Sequence, residues 1–207
     1  MTAIHHRPEG TQQREAAEQV QSTREVKAEA PVGAAEVTMQ TDIVRSPFAR
    51  GALAFMRIVT GWLFLWAFLD KLFGLNHATP VERAWLNGGS PTAGFLANAE
   101  GPFGATFQSL ASAAPVLDWI FMIGLLGLGV ALVTGAGVKI AAIAGTVLVT
   151  MMYLATFPLG AAGASNPITT SHWLEAAAMI VVAATRAGDT FGLGKIWAKY
   201  VGDSIWR

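Results

Sequence analysis

Gly51 to Leu69 reads GALAFMRIVTGWLFLWAFL, nineteen residues whose one charge is Arg57. At 1.5 Å per residue, a helix of that length measures about 28 Å, close to a hydrocarbon core roughly 30 Å thick. A first membrane span is therefore predicted over about 51–70. Trp119 to Val138 carries no charge and supplies a second span, over about 118–137, ending in a tight Gly135-Ala136-Gly137 turn before Lys139. From Ile140 to Ser171 no residue is charged. That run is too long for one helix and is broken by Pro158, Gly160, Gly163, Asn166 and Pro167. It resolves into a third span over about 139–158 and the start of a fourth over about 170–186.

Between the first and second spans, Asp70 to Pro115 mixes Gly, Pro, Asn and Ser with short apolar groups. Backbone of this kind lies outside the hydrocarbon or is sheltered by protein. Short interfacial helices are expected at Val81 to Leu86 and along Phe103, Phe107 and Leu110/Ala111. Residues 1–50 hold few large apolar side chains and cannot bury enough surface to offset chain entropy. They are expected to form a disordered tail, with a transient helix over Gln12 to Glu29. A secretory signal is not expected, because no hydrophobic segment follows the first basic residues closely. The expected fold is all-α: an integral membrane four-helix bundle over 51–187, preceded by the tail and followed by an amphipathic segment over 188–207.

The net charge of zero, from 14 basic and 14 acidic residues, hides an asymmetry. With four spans both termini share a side, and that side collects eleven Lys and Arg against Lys71 and Arg83 opposite. Both termini are therefore expected in the cytoplasm, the chain being a multi-pass protein of the cell inner or plasma membrane. Only 14% of residues are charged, and no basic stripe is present, so nucleic acid is not an expected partner. The absence of Cys excludes disulfides, thiolate nucleophiles and Cys-ligated iron–sulfur clusters within the chain. Four His, two of them in the tail, argue against a self-contained metal site or bis-histidine haem.

The polar groups near the apolar segments are the candidates for chemistry. Arg57 either snorkels toward the inner headgroups or engages a buried partner or anionic ligand. Asp70 and Lys71 end the first span at the outer face, where His172 and Glu175 begin the fourth. Antiparallel neighbours would bring the four together as a structural ion-pair group or as a proton or ligand site. The segment from Asn166 to His172 is expected chiefly to cap the fourth helix. Arg57, Trp66, Tyr153 and Trp173 are expected quinone contacts, against a plain packing role for the aromatic residues. Gly124, Gly127 and Gly129 in the second span, with Ala141, Ala144 and Gly145 in the third, permit close helix contacts.

Several of these residues also carry a family resemblance. Arg57-Ile58-Val59-Thr60-Gly61-Trp62-Leu63-Phe64 with Asp70-Lys71, then Trp85-Leu86-Asn87-Gly88-Gly89-Ser90-Pro91-Thr92-Ala93-Gly94-Phe95-Leu96, then Asn166-Pro167, His172-Trp173, Gly188-Asp189 and Gly192-Leu193-Gly194 follow one another around the apolar segments. Over about residues 48–200 the chain resembles the DoxX/DoxD-like membrane proteins. That resemblance implies four membrane helices and singles out Arg57, Lys71, Asn166, His172 and Glu175. Some relatives form the large subunit of a thiosulfate:quinone oxidoreductase, working with a smaller subunit; others accompany respiratory or oxidative-stress assemblies.

The expected function is an accessory subunit of a respiratory or redox membrane assembly. Its expected partners are membrane lipid, a protein subunit and, as the one cofactor, a membrane quinone. Two alternatives stand beside it: a catalytic membrane subunit oxidising thiosulfate to tetrathionate, with Lys71, His172 and Glu175 as candidate catalytic residues, and a small-molecule transporter.

Overall fold

A computed structural model describes residues 37–157, 166 and 168–207, together with Gln19 and Gln21. The chain divides into two compact units, Met1–Glu36 and Val37–Arg207, and the fold described is that of the second. Apart from Gln19 and Gln21, the expected tail helix over Gln12 to Glu29 lies outside the described residues, as do the helix breakers Pro158, Gly160, Gly163 and Pro167.

The described residues are helical, with no strand among them. A short helix, α1 (Gln40–Ile43), precedes α2 (Pro47–Phe73). Pro47 opens α2 at a position where a missing N–H costs nothing, and Ser46 Oγ accepts from Ala49 N at 3.3 Å. The helix thus begins four residues before the expected start at 51, because its cap lies in the polar sequence ahead of the apolar run. Two 3₁₀ turns follow at Val81–Arg83 and Trp85–Asn87, where a short helix over Val81 to Leu86 was expected. Next come α3 (Ala93–Ala97), a turn at Gly101–Phe103, α4 (Gly104–Ser109) and a turn at Leu110–Ala113. These lead into α5 (Ala114–Thr134).

Gly135 at φ 79° and Gly137 at φ 75° adopt left-handed backbone and reverse the chain into α6 (Val138–Ala155). Beyond it lie α7 (Ser171–Ala184), a 3₁₀ turn at Ala187–Asp189, and α8 (Gly194–Val201). Among the described residues three stretches are long and apolar enough to cross a membrane: Pro47–Phe73, Gly101–Thr134 with α5 as its body, and Val138–Ala155. The expected fourth span is the 14-residue α7, about 21 Å long, and falls below that length.

Helix α2 packs against α5 and α7, and α6 packs against the same two. Their shared core contains Phe64 from α2, Met122, Leu125, Leu128 and Leu132 from α5, Ala141 and Val149 from α6, and Met179 and Val182 from α7. Of the three glycines expected to let α5 approach a neighbour, only Gly129 does so. A Cβ there would lie 2.8 Å from Leu65 Cβ, whereas Gly124 and Gly127 face open space. Gly145 of α6 meets Met179 and Leu128, as its small size requires. A second, smaller core of Leu96, Ala99, Phe107 and Ala155 fixes the α3–α4 region to the end of α6, aided by a bond from Glu100 N to Ala155 O at 3.2 Å.

The outer faces of the long helices are apolar. Phe55 is 70% exposed, Ile123 63%, Val147 59% and Leu174 76%. In water such surfaces would drive association; against lipid tails they carry no such penalty.

Candidate functional site

Arg57 lies ten residues after Pro47, about 15 Å along α2, and is fully buried. Among the described residues it meets no carboxylate, and its full burial argues against snorkelling. Its guanidinium donates to Leu132 O, to Val133 O at 2.9 Å, to Ala187 O at 3.2 Å and to Phe191 O at 2.9 Å, with a longer contact to Thr190 O at 3.4 Å. The first two acceptors explain the arrangement. A helix leaves its last four carbonyls without internal donors. In α5, Ala131 O accepts from Gly135 N at 2.9 Å and Thr134 O from Leu193 N at 2.8 Å, while Leu132 and Val133 receive Arg57. The negative end of the α5 dipole thus stands where a counter-ion would. The socket is built from small residues: a Cβ on Gly135 or on Gly192 would come within 3.0 Å of the guanidinium.

At the same end of the helices, residues expected to belong to a disordered tail are part of the packing. Gln40 is buried, its N–H donating to Asp189 Oδ2 at 2.8 Å and its Oε1 accepting from Thr190 Oγ1 at 2.5 Å. Arg207 forks onto Asp189 at 3.1 and 2.9 Å and reaches Asp203 at 2.6 Å. Arg186 bonds Asp203 and, at 2.7 Å, Thr38 O. The Arg186 guanidinium holds the Asp203 carboxyl well below the usual carboxylate range, with Thr38 N–H and Arg207 adding to the effect. Lys139 Nζ closes the group by donating to Asp203 O at 2.9 Å and Ser204 O at 3.2 Å. Apart from Arg207 and Asp203, four residues apart, the partners are separated by at least 17 positions and are not visible in local sequence.

At the opposite end the expected four-residue polar group is not assembled. Asp70 is 2% exposed and turns onto its own loop, accepting from His77 N at 3.3 Å and Ala78 N at 3.1 Å. Lys71 is half-buried in the last turn of α2, where a cation suits the helix dipole, and no ion pair joins it to Glu175. His172 and Glu175 do meet, Nδ1 to Oε2 at 3.5 Å, one turn apart on α7. That distance is an ionic contact rather than a hydrogen bond. His172 Nδ1 is covered and lacks a hydrogen bond.

Two of the expected aromatic residues meet each other near the start of α7. Tyr153 and Trp173 cross edge-to-face with centroids 5.8 Å apart, and Tyr153 also meets Phe157 at 5.4 Å. The Tyr153 hydroxyl donates to Ile168 O at 2.6 Å and so ties α6 to the entry of α7. Trp66 stands apart, against Trp62 at 6.1 Å and His77 at 5.1 Å. Asn166 does not cap α7: its Oδ1 accepts from Ile168 N at 2.9 Å and Thr169 N at 3.0 Å, closing a turn ahead of the helix, and Thr170 at the N-cap makes no side-chain cap bond. Asp118, which no sequence pattern singled out, is 5% exposed and bonded to Thr92. Among the described residues no three His, Asp or Glu converge as metal ligands. Comparison with family models, curated proteins and solved structures found no match to this chain.

Proposed function

We propose that the protein is a four-helix integral membrane subunit that receives a membrane quinone at the junction of α6 and α7, as an accessory component of a respiratory or redox assembly. The observation that carries this is the edge-to-face pair of Tyr153 and Trp173, with the His172–Glu175 contact on the same first turns of α7. Trp173 is 52% exposed and gives a planar ring an aromatic wall open toward lipid. A proton on His172 Nδ1 would point at Glu175, leaving Nε2 to exchange a hydrogen bond with a quinone oxygen. The order of motifs shared with DoxX/DoxD-like proteins supports the same assignment.

In this arrangement α7 is the fourth crossing, its short ends sheltered by the protein segments at either face. Thr38, Gln40, Lys139 and residues 186–207 gather at one end of the helices, which supports an even number of crossings. The Lys and Arg at that end support a cytoplasmic location for it. A single cysteine introduced at Asn87 should react with an impermeant reagent from outside, and one at Ser22 should not; the reverse would overturn the topology.

For the site, full-length protein in nanodiscs should bind a short-chain ubiquinone or menaquinone analogue, read by quenching of Trp fluorescence. Trp173→Leu and His172→Ala are expected to weaken that binding at least fivefold. Equal binding by both variants and the parent would refute the location.

A second reading rests on Lys71, for which no hydrogen bond or ion pair is found among the described residues. An uncompensated cation at the outer end of α2 would attract thiosulfate. Two thiosulfate ions joined through a new S–S bond would release two electrons, which with two protons reduce the quinone to quinol. Thiosulfate-dependent quinone reduction, lost in Lys71→Ala, would move the protein from accessory subunit to enzyme.

A further inference from the structure

The loop from Trp85 to Ala93 and the first turn of α5 enclose a cleft of about 480 Å³, involving none of the residues of the proposed quinone site. Its size falls in the range of about 300–1,000 Å³ seen for small-molecule sites and is far larger than a lone ion needs. Asp118 lines it and is 5% exposed. One carboxylate oxygen, Oδ1, accepts from Thr92 N at 2.8 Å and Thr92 Oγ1 at 2.6 Å. The other, Oδ2, has no hydrogen bond among the described residues, and no Lys, Arg or His pairs with Asp118 there. The threonine thus engages one carboxylate oxygen and leaves the other free to take a donor in the cleft.

Two indoles line the same cleft. Trp85 and Trp119 meet at 4.7 Å between centroids and at 74°, so their faces form a corner beside the carboxylate. An aromatic face attracts a cation through its quadrupole, most strongly when the cation is weakly hydrated. A hydrated divalent ion would need several oxygen ligands, and the cleft offers one free carboxylate oxygen. We infer that the Asp118–Trp85–Trp119 cleft binds an organic ammonium group, with Asp118 Oδ2 as counter-ion and the indole corner as its wall. The ammonium belongs either to a free amine or to the headgroup of a zwitterionic lipid. Trp119, 61% exposed, stands where the cleft opens to the exterior.

The test uses the full chain in nanodiscs of phosphatidylglycerol, titrated calorimetrically with ethanolamine and with tetramethylammonium against sodium chloride at matched ionic strength. Saturable binding of at least one ammonium probe is expected, weakened tenfold or more in Asp118→Asn and severalfold in Trp119→Leu. Asparagine keeps an acceptor for Thr92, so the thermal midpoint of Asp118→Asn should stay close to the parent's. If that variant unfolds, Trp119→Leu and Trp85→Leu carry the comparison. Repeating the titration in phosphatidylethanolamine discs separates the two sources: weaker probe binding there identifies the lipid headgroup as occupant, and unchanged binding a free amine. No saturable binding in phosphatidylglycerol, binding matched by sodium, or equal affinity in the folded variants would overturn the assignment.

Discussion

Replacing Arg57 with methionine removes a charge that no carboxylate neutralises, and what it leaves behind sets the cost. Four carbonyls lie within 3.2 Å of the guanidinium, at Leu132, Val133, Ala187 and Phe191. Methionine fills much of the volume yet donates nothing, and a buried acceptor stripped of its donor costs about 1–3 kcal/mol. Taking about 1 kcal/mol for each, since local relaxation and water recover part, gives a loss of about 4 kcal/mol. Arg57→Lys keeps the charge but concentrates three donors on one nitrogen, which cannot span carbonyls on both α5 and the 187–191 turn; about 2 kcal/mol is expected. Equilibrium unfolding in mixed micelles, followed by far-UV circular dichroism and Trp fluorescence, measures both. A methionine variant within about 0.5 kcal/mol of the parent would refute the carbonyl account, because ordinary surface substitutions fall in that range.

Gly129→Ala places a methyl 2.8 Å from Leu65 Cβ and 2.9 Å from the Leu65 backbone, so α2 and α5 must separate; about 1–3 kcal/mol should be lost in the same assay, whereas Gly124→Ala, facing open space, should be near neutral. The depressed Asp203 carboxyl binds its proton more weakly folded than unfolded. Its stabilising contribution is therefore present above about pH 4, the ordinary Asp value, and is lost as pH falls from there toward the lower folded value. Amide exchange over residues 186–207 should accelerate across that window in the parent and show a smaller acid response in Asp203→Asn.

The long helices were legible because lipid imposes its requirement on contiguous sequence: nineteen apolar residues announce themselves whatever they later touch. Their ends were less so. Ser46 and Pro47 start α2 outside its apolar run, and α5 begins at Ala114, four residues ahead of the expected start at 118. The fate of Arg57 was harder still. Sequence offered headgroups, an acid or a ligand as partners, but the actual acceptors are main-chain carbonyls, identical at every residue and so without any sequence signature. The outer polar group failed for a related reason: Asp70 found donors seven and eight residues away in its own loop before any distant helix could supply them. Gln40 erred in the other direction, because a polar residue in polar sequence gives no sign of the Asp189 and Thr190 it will meet.

The Arg57 socket also sets a timetable for making the protein. Ala187, the last helix-distal acceptor to appear before Phe191, lies 130 positions downstream of Arg57. At about 5–20 residues per second of synthesis, α2 waits on the order of ten seconds for its partner turn. During that interval only the Leu132 and Val133 carbonyls can answer a guanidinium that costs about 2.5–3.5 kcal/mol at mid-bilayer depth, so α2 is expected to settle fully once the 187–191 turn is made. A chain stopped short of the 187–191 turn carries that partly met charge permanently, which marks it chemically as unfinished.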